Sequence, residues 1–90
     1  MNTVKNIIKV LEAKGFTILE VTRTKIFGVT TVSAARKTDS GNLEIMWGDN
    51  GTAKVFKPNG TTRWYYEKSV AQIARALDQS IESNTYSYRR

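Results

Sequence analysis

The side chains that could do chemistry in this 90-residue chain are carboxylates, amines, hydroxyls and phenols, because the chain contains neither His nor Cys. That composition excludes a Cys/His zinc site, a thiol nucleophile, a disulfide framework and an imidazole proton shuttle. The acids are spread singly along the chain, and no phosphate-binding loop, dinucleotide fingerprint or nucleophile elbow occurs. We therefore expect a binding protein with no enzymatic activity, no bound metal and no cofactor.

Basic residues are the more informative set, since 14 Lys and Arg oppose 8 Asp and Glu for a net charge of +6. Seven of the basic residues and only three of the acids lie between Val21 and Tyr66, where β-branched and aromatic residues are also frequent. Cations displace counterions from phosphates, and aromatic rings stack on unpaired bases. The residues predicted to contact nucleic acid are Arg23, Lys25, Arg36, Lys37, Lys54, Phe56, Lys57, Arg63, Tyr65, Arg89 and Arg90.

Apolar residues at helical spacing predict one helix near each end of the chain. The first spans about residues 3 to 14, with Thr3 as its N-cap, and the second spans residues 69 to 83. Ser69 and Gln72 open the second helix with the spacing of a capping box. We expect residues 1–83 to form a single α+β domain and residues 84–90 to form a flexible basic and aromatic tail.

Between the helices, β-branched and aromatic runs separated by glycine-containing turns predict a curved antiparallel meander. The predicted strands are residues 16–24, 29–36, 43–47, 52–57 and 61–66. The fourth run is short enough to be a loop, so the prediction is four to five strands. Because the sheet is the only large partner for the apolar stripes of both helices, one sheet face stays open if both helices pack on the other.

Alternation along the strands suggests which residues share a face. If Leu43, Ile45 and Trp47 face the core, the opposite face is expected to carry Met46 and the contact candidates, namely Lys54, Phe56, Arg63 and Tyr65, joined by Arg23 and Arg36. Trp47 and Trp64 are both predicted to be core residues, since Trp is usually largely buried.

An open antiparallel sheet followed by an amphipathic helix resembles the single-strand-binding folds of the Whirly type. The resemblance is one of element order and composition only. The leading helix departs from that pattern, and no functional residue is carried over. The resemblance implies binding on a basic, aromatic sheet face. The first hypothesis is therefore a binder of RNA or single-stranded DNA with little sequence preference.

Four other interpretations stay open. The basic residues could simply be solvated charge that keeps an exposed sheet soluble. The chain could instead be a bacteriophage-type accessory protein that inhibits or sequesters a host enzyme or ribonucleoprotein by direct contact. Ile26 and Phe27, at a turn, could be an exposed protein interface or fold back into the core. An edge strand and Phe27 could also pair two chains in a homodimer.

The location is predicted by elimination. The first eleven residues include Lys5 and Lys9, which breaks the apolar run that a signal peptide needs. No run of about 18 apolar residues occurs anywhere in the chain. We expect a cytoplasmic protein that does not contact membranes.

Overall fold

A computed structural model describes residues 3–24 and 28–83. Its element order is helix α1 (Val4–Ala13), strands β1 (Thr17–Thr24), β2 (Val29–Thr38), β3 (Gly41–Gly48), β4 (Ala53–Phe56) and β5 (Thr62–Tyr65), and helix α2 (Val70–Ser83). The five strands form one antiparallel sheet in the order β1-β2-β3-β4-β5. The predicted α+β fold is confirmed, and the short fourth segment is a strand. None of the helices within the described ranges is long and apolar enough to cross a membrane.

Both helices begin at the predicted polar residues. The Thr3 hydroxyl oxygen accepts a hydrogen bond from the Asn6 backbone N–H at 3.2 Å. At α2, the Gln72 N–H donates to the Ser69 hydroxyl and the Ser69 N–H donates to the Gln72 side chain. The capping box is therefore present in both directions, and it satisfies backbone donors that a helix start leaves without partners.

The helices pack on one face of the sheet and share one core with it. Ile7 and Leu11 from α1 and Ile73 and Leu77 from α2 are all fully buried. The sheet contributes the remaining core residues, which are Phe16 just before β1, Val32, Ala34, Leu43, Ile45, Trp47, Ala53 and Val55. The predicted core alternation of β3 is confirmed. We call this side of the sheet the helix face and the other side the open face.

The three-residue hairpin loop between β4 and β5 determines which side chains of these two strands share a face. The β4–β5 loop is Pro58–Gly60, closed by a 2.8 Å bond from the Lys57 N–H to the Thr61 carbonyl. Gly60 takes a φ of 91°, the left-handed conformation that follows the turn in this kind of loop. This loop pairs Lys54 with Trp64 and Val55 with Arg63. Trp64 therefore lies on the open face, and Arg63 and Tyr65 lie on the helix face.

The expectation that Arg63 and Tyr65 share the open face with Lys54 is therefore wrong. A two-residue Asn59-Gly60 turn would have shifted the pairing by one residue and given that arrangement, because a one-residue shift exchanges the faces of a strand. The prediction that Trp64 belongs to the core is wrong for the same reason, since Trp64 is 48% exposed. Trp47 is fully buried, as predicted.

Strand β1 is irregular and lies at the outer edge. Its register with β2 shifts between Ile18 and Glu20, which marks a bulge at Leu19. Leu19 is 60% exposed. Lys25, Ile26 and Phe27, and the predicted tail with Arg89 and Arg90, lie outside the described residues.

Candidate nucleic-acid interface

The open face carries a group of exposed aromatic rings at the β5 edge. Trp64 and Tyr66 stack in parallel, with ring centroids 5.9 Å apart and an angle of 6° between the rings. Tyr66 is 60% exposed, so both rings are accessible. Trp64 lies in β5, and Tyr66 directly follows the strand, two residues further along the chain, so the stacked rings lie on the same side. Parallel exposed rings form a surface on which a flat base can stack.

Lys54 joins these rings to the neighbouring strand. Its Nζ lies 4.7 Å from the ring centroid of Trp64 and 4.8 Å from that of Phe56. Both distances are within the range of a cation–π interaction, which holds the ammonium group against the aromatic surface. We call Phe56, Trp64, Tyr66 and Lys54 the aromatic platform. Lys54 and Phe56 were predicted from the sequence to share this face with each other, and they do.

A concave pocket adjoins the platform on its inner side. Its volume is about 190 Å³, and its lining includes Trp64 and Lys54. The rest of the lining is Val29, Thr31, Met46, Gly48, Asn50, Thr52 and Ala53. At Gly48 a Cβ atom would lie 2.8 Å from Asn50 Oδ1 and 3.1 Å from Val29 Cγ1, so a side chain there would clash with the pocket wall. The pocket and the rings form a continuous, mostly apolar surface.

The open face is not strongly basic. Strand pairing places Lys37 and Lys54 on it, together with Glu20 and Glu44. The two positive charges on this face are therefore balanced by two negative charges. The expectation of a basic sheet face is wrong for this side of the molecule, although the segment as a whole is basic.

Arg23 and Arg36 lie on the helix face, and their expected place on the open face is wrong. Arg23 pairs with Thr30, and its Nη1 donates to the Thr30 hydroxyl at 3.3 Å. Arg36 pairs with the buried Leu43, and its Nη1 donates to the backbone carbonyl of Lys14 at 2.5 Å. That carbonyl lies at the C-terminal end of α1, where oxygens lack helix partners. Arg36 is therefore occupied by a structural contact.

The remaining predicted contacts form a second group at the same sheet edge. Lys57, Arg63 and Tyr65 line a cleft between β5 and α2. At this edge the structure thus places Lys54 and Phe56 on the open face and Lys57, Arg63 and Tyr65 on the helix face. Sequence reasoning missed Trp64 and Tyr66 as accessible rings. The signal that could have found them is that Pro58-Asn59-Gly60 also fits a three-residue loop.

Within the described ranges, no group of three or more acids could hold a metal ion. Comparison of the chain with protein-family models, curated proteins and solved structures found no match.

Proposed function

We propose that this protein binds single-stranded nucleic acid, RNA or single-stranded DNA, with little sequence preference. The observation that carries the proposal is the exposed parallel pair Trp64 and Tyr66, with the Lys54 ammonium held against Trp64. Stacking on rings accepts any base, because every base has a flat face. A duplex hides those faces inside its own stack, so single strands are the better ligand.

The proposal includes a cytoplasmic location, where RNA and unpaired DNA are accessible. The net charge of +6 supports nucleic-acid binding, since a cationic protein attracts a polyanion over a distance set by the ionic strength. The near balance of charge on the open face implies that stacking supplies the contact there. Cations elsewhere on the molecule would then supply the electrostatic attraction.

The test is fluorescence polarisation with labelled single strands of about 10–12 nucleotides, one of uridine and one of thymidine, and with a duplex of the same length. Measurements at about 50 and 200 mM salt separate the electrostatic part of the affinity. We expect both single strands to bind in preference to the duplex, and affinity to fall as salt rises. No binding to any oligonucleotide, or equal affinity for the duplex, would refute the proposal.

Trp64→Ala tests the platform directly. We expect a loss of about 5- to 150-fold in affinity for both single strands, since stacking on one ring contributes about 1–3 kcal/mol. Trp64→Phe retains a stacking ring and should lose much less. Leu19→Ala is the matched control, because Leu19 is also a large exposed apolar side chain but lies on β1, at the opposite edge of the sheet. An equal effect of Leu19→Ala and Trp64→Ala would contradict the assignment.

A second candidate is the accessory protein that holds a host enzyme or ribonucleoprotein by direct contact. The observation that favours it is the apolar pocket beside Trp64, together with the 44% exposure of Met46. Exposed apolar surface around a concavity is typical of protein interfaces. A pull-down with and without nuclease distinguishes the two candidates. A partner retained after nuclease treatment, and lost with Met46→Ala, would favour protein contact over an RNA bridge.

A further inference from the structure

A polar cleft lies on the helix face directly behind the aromatic platform. It has a volume of about 270 Å³ and opens beside β5, the last strand of the sheet. Its lining consists of Lys57, Arg63 and Tyr65 from the strand side and Ala76, Gln79 and Ser80 from α2. All the ionisable side chains in the lining are therefore basic or phenolic.

The two cations in this cleft are not neutralised by neighbouring acids. Among the described residues, neither Lys57 nor Arg63 forms an ion pair with an Asp or Glu. The Asp78 carboxylate of α2 is directed elsewhere and pairs with Lys14 Nζ at 2.5 Å. The helix side of the cleft is therefore neutral, and two positive charges share one concavity without a counter-charge. Such an arrangement attracts an anion.

The donors in the cleft suit a phosphate group in particular. The Arg63 guanidinium has a planar fork of N–H donors that matches two phosphate oxygens, and Lys57 adds a compact charge. The Gln79 amide and the Tyr65 hydroxyl are neutral donors on the same lining. Carboxylates would compete with a phosphate for these cations, and the lining contains none.

We propose that this cleft binds a backbone phosphate of the same single strand whose bases stack on the aromatic platform. The inference rests on the proposed function. Arg63 and Tyr65 flank Trp64 in β5, and their side chains extend to the opposite face. No described strand lies beyond β5. A single strand that passes over this edge therefore reaches the Trp64 ring and the cleft with neighbouring nucleotides.

The charge distribution supports this path. The open face has Lys37 and Lys54 opposed by Glu20 and Glu44, so the platform provides rings but little net charge for phosphates. The cleft provides charge but no accessible aromatic pair. Base stacking and phosphate binding are thus divided between the two sides of one strand.

The experiment compares the salt dependence of binding for Lys57→Ala, Arg63→Ala and the double variant, using the single-stranded oligonucleotides named above. The slope of log affinity against log salt is negative, and loss of one phosphate contact should make it shallower by about 0.7 on a single strand. We expect that change in the double variant, with an affinity loss of about five- to tenfold at low salt. Arg63→Lys keeps the charge and loses the fork, so its slope should stay near that of the wild type while its affinity falls.

Arg75→Ala is the matched control, because Arg75 is an exposed arginine of α2 outside the cleft lining. It removes the same net charge as Arg63→Ala. Thermal unfolding of every variant checks that the fold is intact. If the cleft variants and Arg75→Ala change slope and affinity equally, the cleft assignment is overturned, and only the bulk charge matters.

An abasic oligonucleotide separates this inference from the proposed function, since it keeps the phosphates and removes the bases. We expect its weaker binding to respond to Arg63→Ala and not to Trp64→Ala. If Trp64→Ala weakens binding of the normal strand and the cleft variants change the affinity for neither strand, the phosphate site in the cleft is overturned and the stacking role of the platform is retained. If only the cleft variants weaken binding, and they do so for both strands, the stacking role of the platform is overturned and the phosphate site in the cleft is retained.

Discussion

Arg36 shows how much the surroundings of one residue decide its role. Its guanidinium reaches the carbonyl of Lys14, where the α1 helix ends and its backbone oxygens carry partial negative charge. Gly15 follows with a φ of 83°, and a Cβ atom there would lie 3.4 Å from Arg36 Nη1. The glycine thus ends the helix and leaves room for the arginine. A residue that the sequence predicted to bind phosphate instead connects α1 to β2.

We expect Arg36→Ala to lower the free energy of unfolding by about 1–2 kcal/mol, because it removes a charge-assisted hydrogen bond and leaves a partly buried carbonyl without its partner. Urea unfolding followed by circular dichroism measures the change. Lys37→Ala is the control, since Lys37 is the next residue, carries the same charge and is exposed on the open face. Equal destabilisation by the two variants would show that Arg36 acts only through its charge.

At the scale of the elements, local sequence signals were sufficient to predict both helices and four of the five strands, and they left β4 open between a strand and a loop. Thr3 and the Ser69/Gln72 pair act through neighbours three residues away, so they can be recognised without knowledge of the fold. The alternation of β3 is similarly local. The bulge at Leu19 was not predicted, because it depends on how β1 pairs with β2.

The composition of each face of the candidate site could not be predicted with the same success. Alternation tells which residues of a strand share a face, but the loop determines which face of the sheet that is. The Pro58–Gly60 loop has three residues where a two-residue turn was equally compatible with Asn59-Gly60. That one residue moved Trp64 to the surface and separated Arg63 and Tyr65 from Lys54. The grouping of Lys54 with Phe56, which no loop interrupts, was correct.

The capping box of α2 offers a test at the element scale. We expect Ser69→Ala to destabilise the protein by about 1 kcal/mol, since it removes the acceptor for the Gln72 N–H at the helix start. Ser69→Thr keeps the hydroxyl and should lose only a small part of that stability. Chemical denaturation of both variants provides the measurement. A Ser69→Ala variant as stable as the wild type would mean that solvent replaces the cap at no cost.

On the scale of the whole molecule, the two helices and the sheet depend on one core. α1 and α2 come from opposite ends of the described chain, yet Leu11 and Leu77 bury into the same cluster. The Lys14–Asp78 ion pair adds a contact between the helices, although the Asp78 side chain is 57% exposed and the pair contributes little. The helices should therefore unfold together with the sheet.

Leu11→Ala tests this cooperativity. We expect it to lower the free energy of unfolding by about 2–5 kcal/mol, as for other fully buried leucines. The far-ultraviolet circular dichroism and tryptophan fluorescence transitions should stay coincident, because one core holds all the elements. Leu19→Ala, at an exposed position, should change stability by less than about 0.5 kcal/mol. Separate transitions for the two signals in Leu11→Ala would show that α1 unfolds independently of the sheet.

The two tryptophans give this protein a pair of built-in optical probes with different sensitivities. Trp47 is completely enclosed by the core, whereas Trp64 is about half accessible and stacks on Tyr66. A soluble quencher such as iodide should therefore quench the fluorescence of Trp64 and leave that of Trp47 unchanged. Trp64→Phe leaves an emission that reports folding alone. Trp47→Phe leaves one that reports events at the surface, so ligand titrations and unfolding can be followed separately without an attached dye.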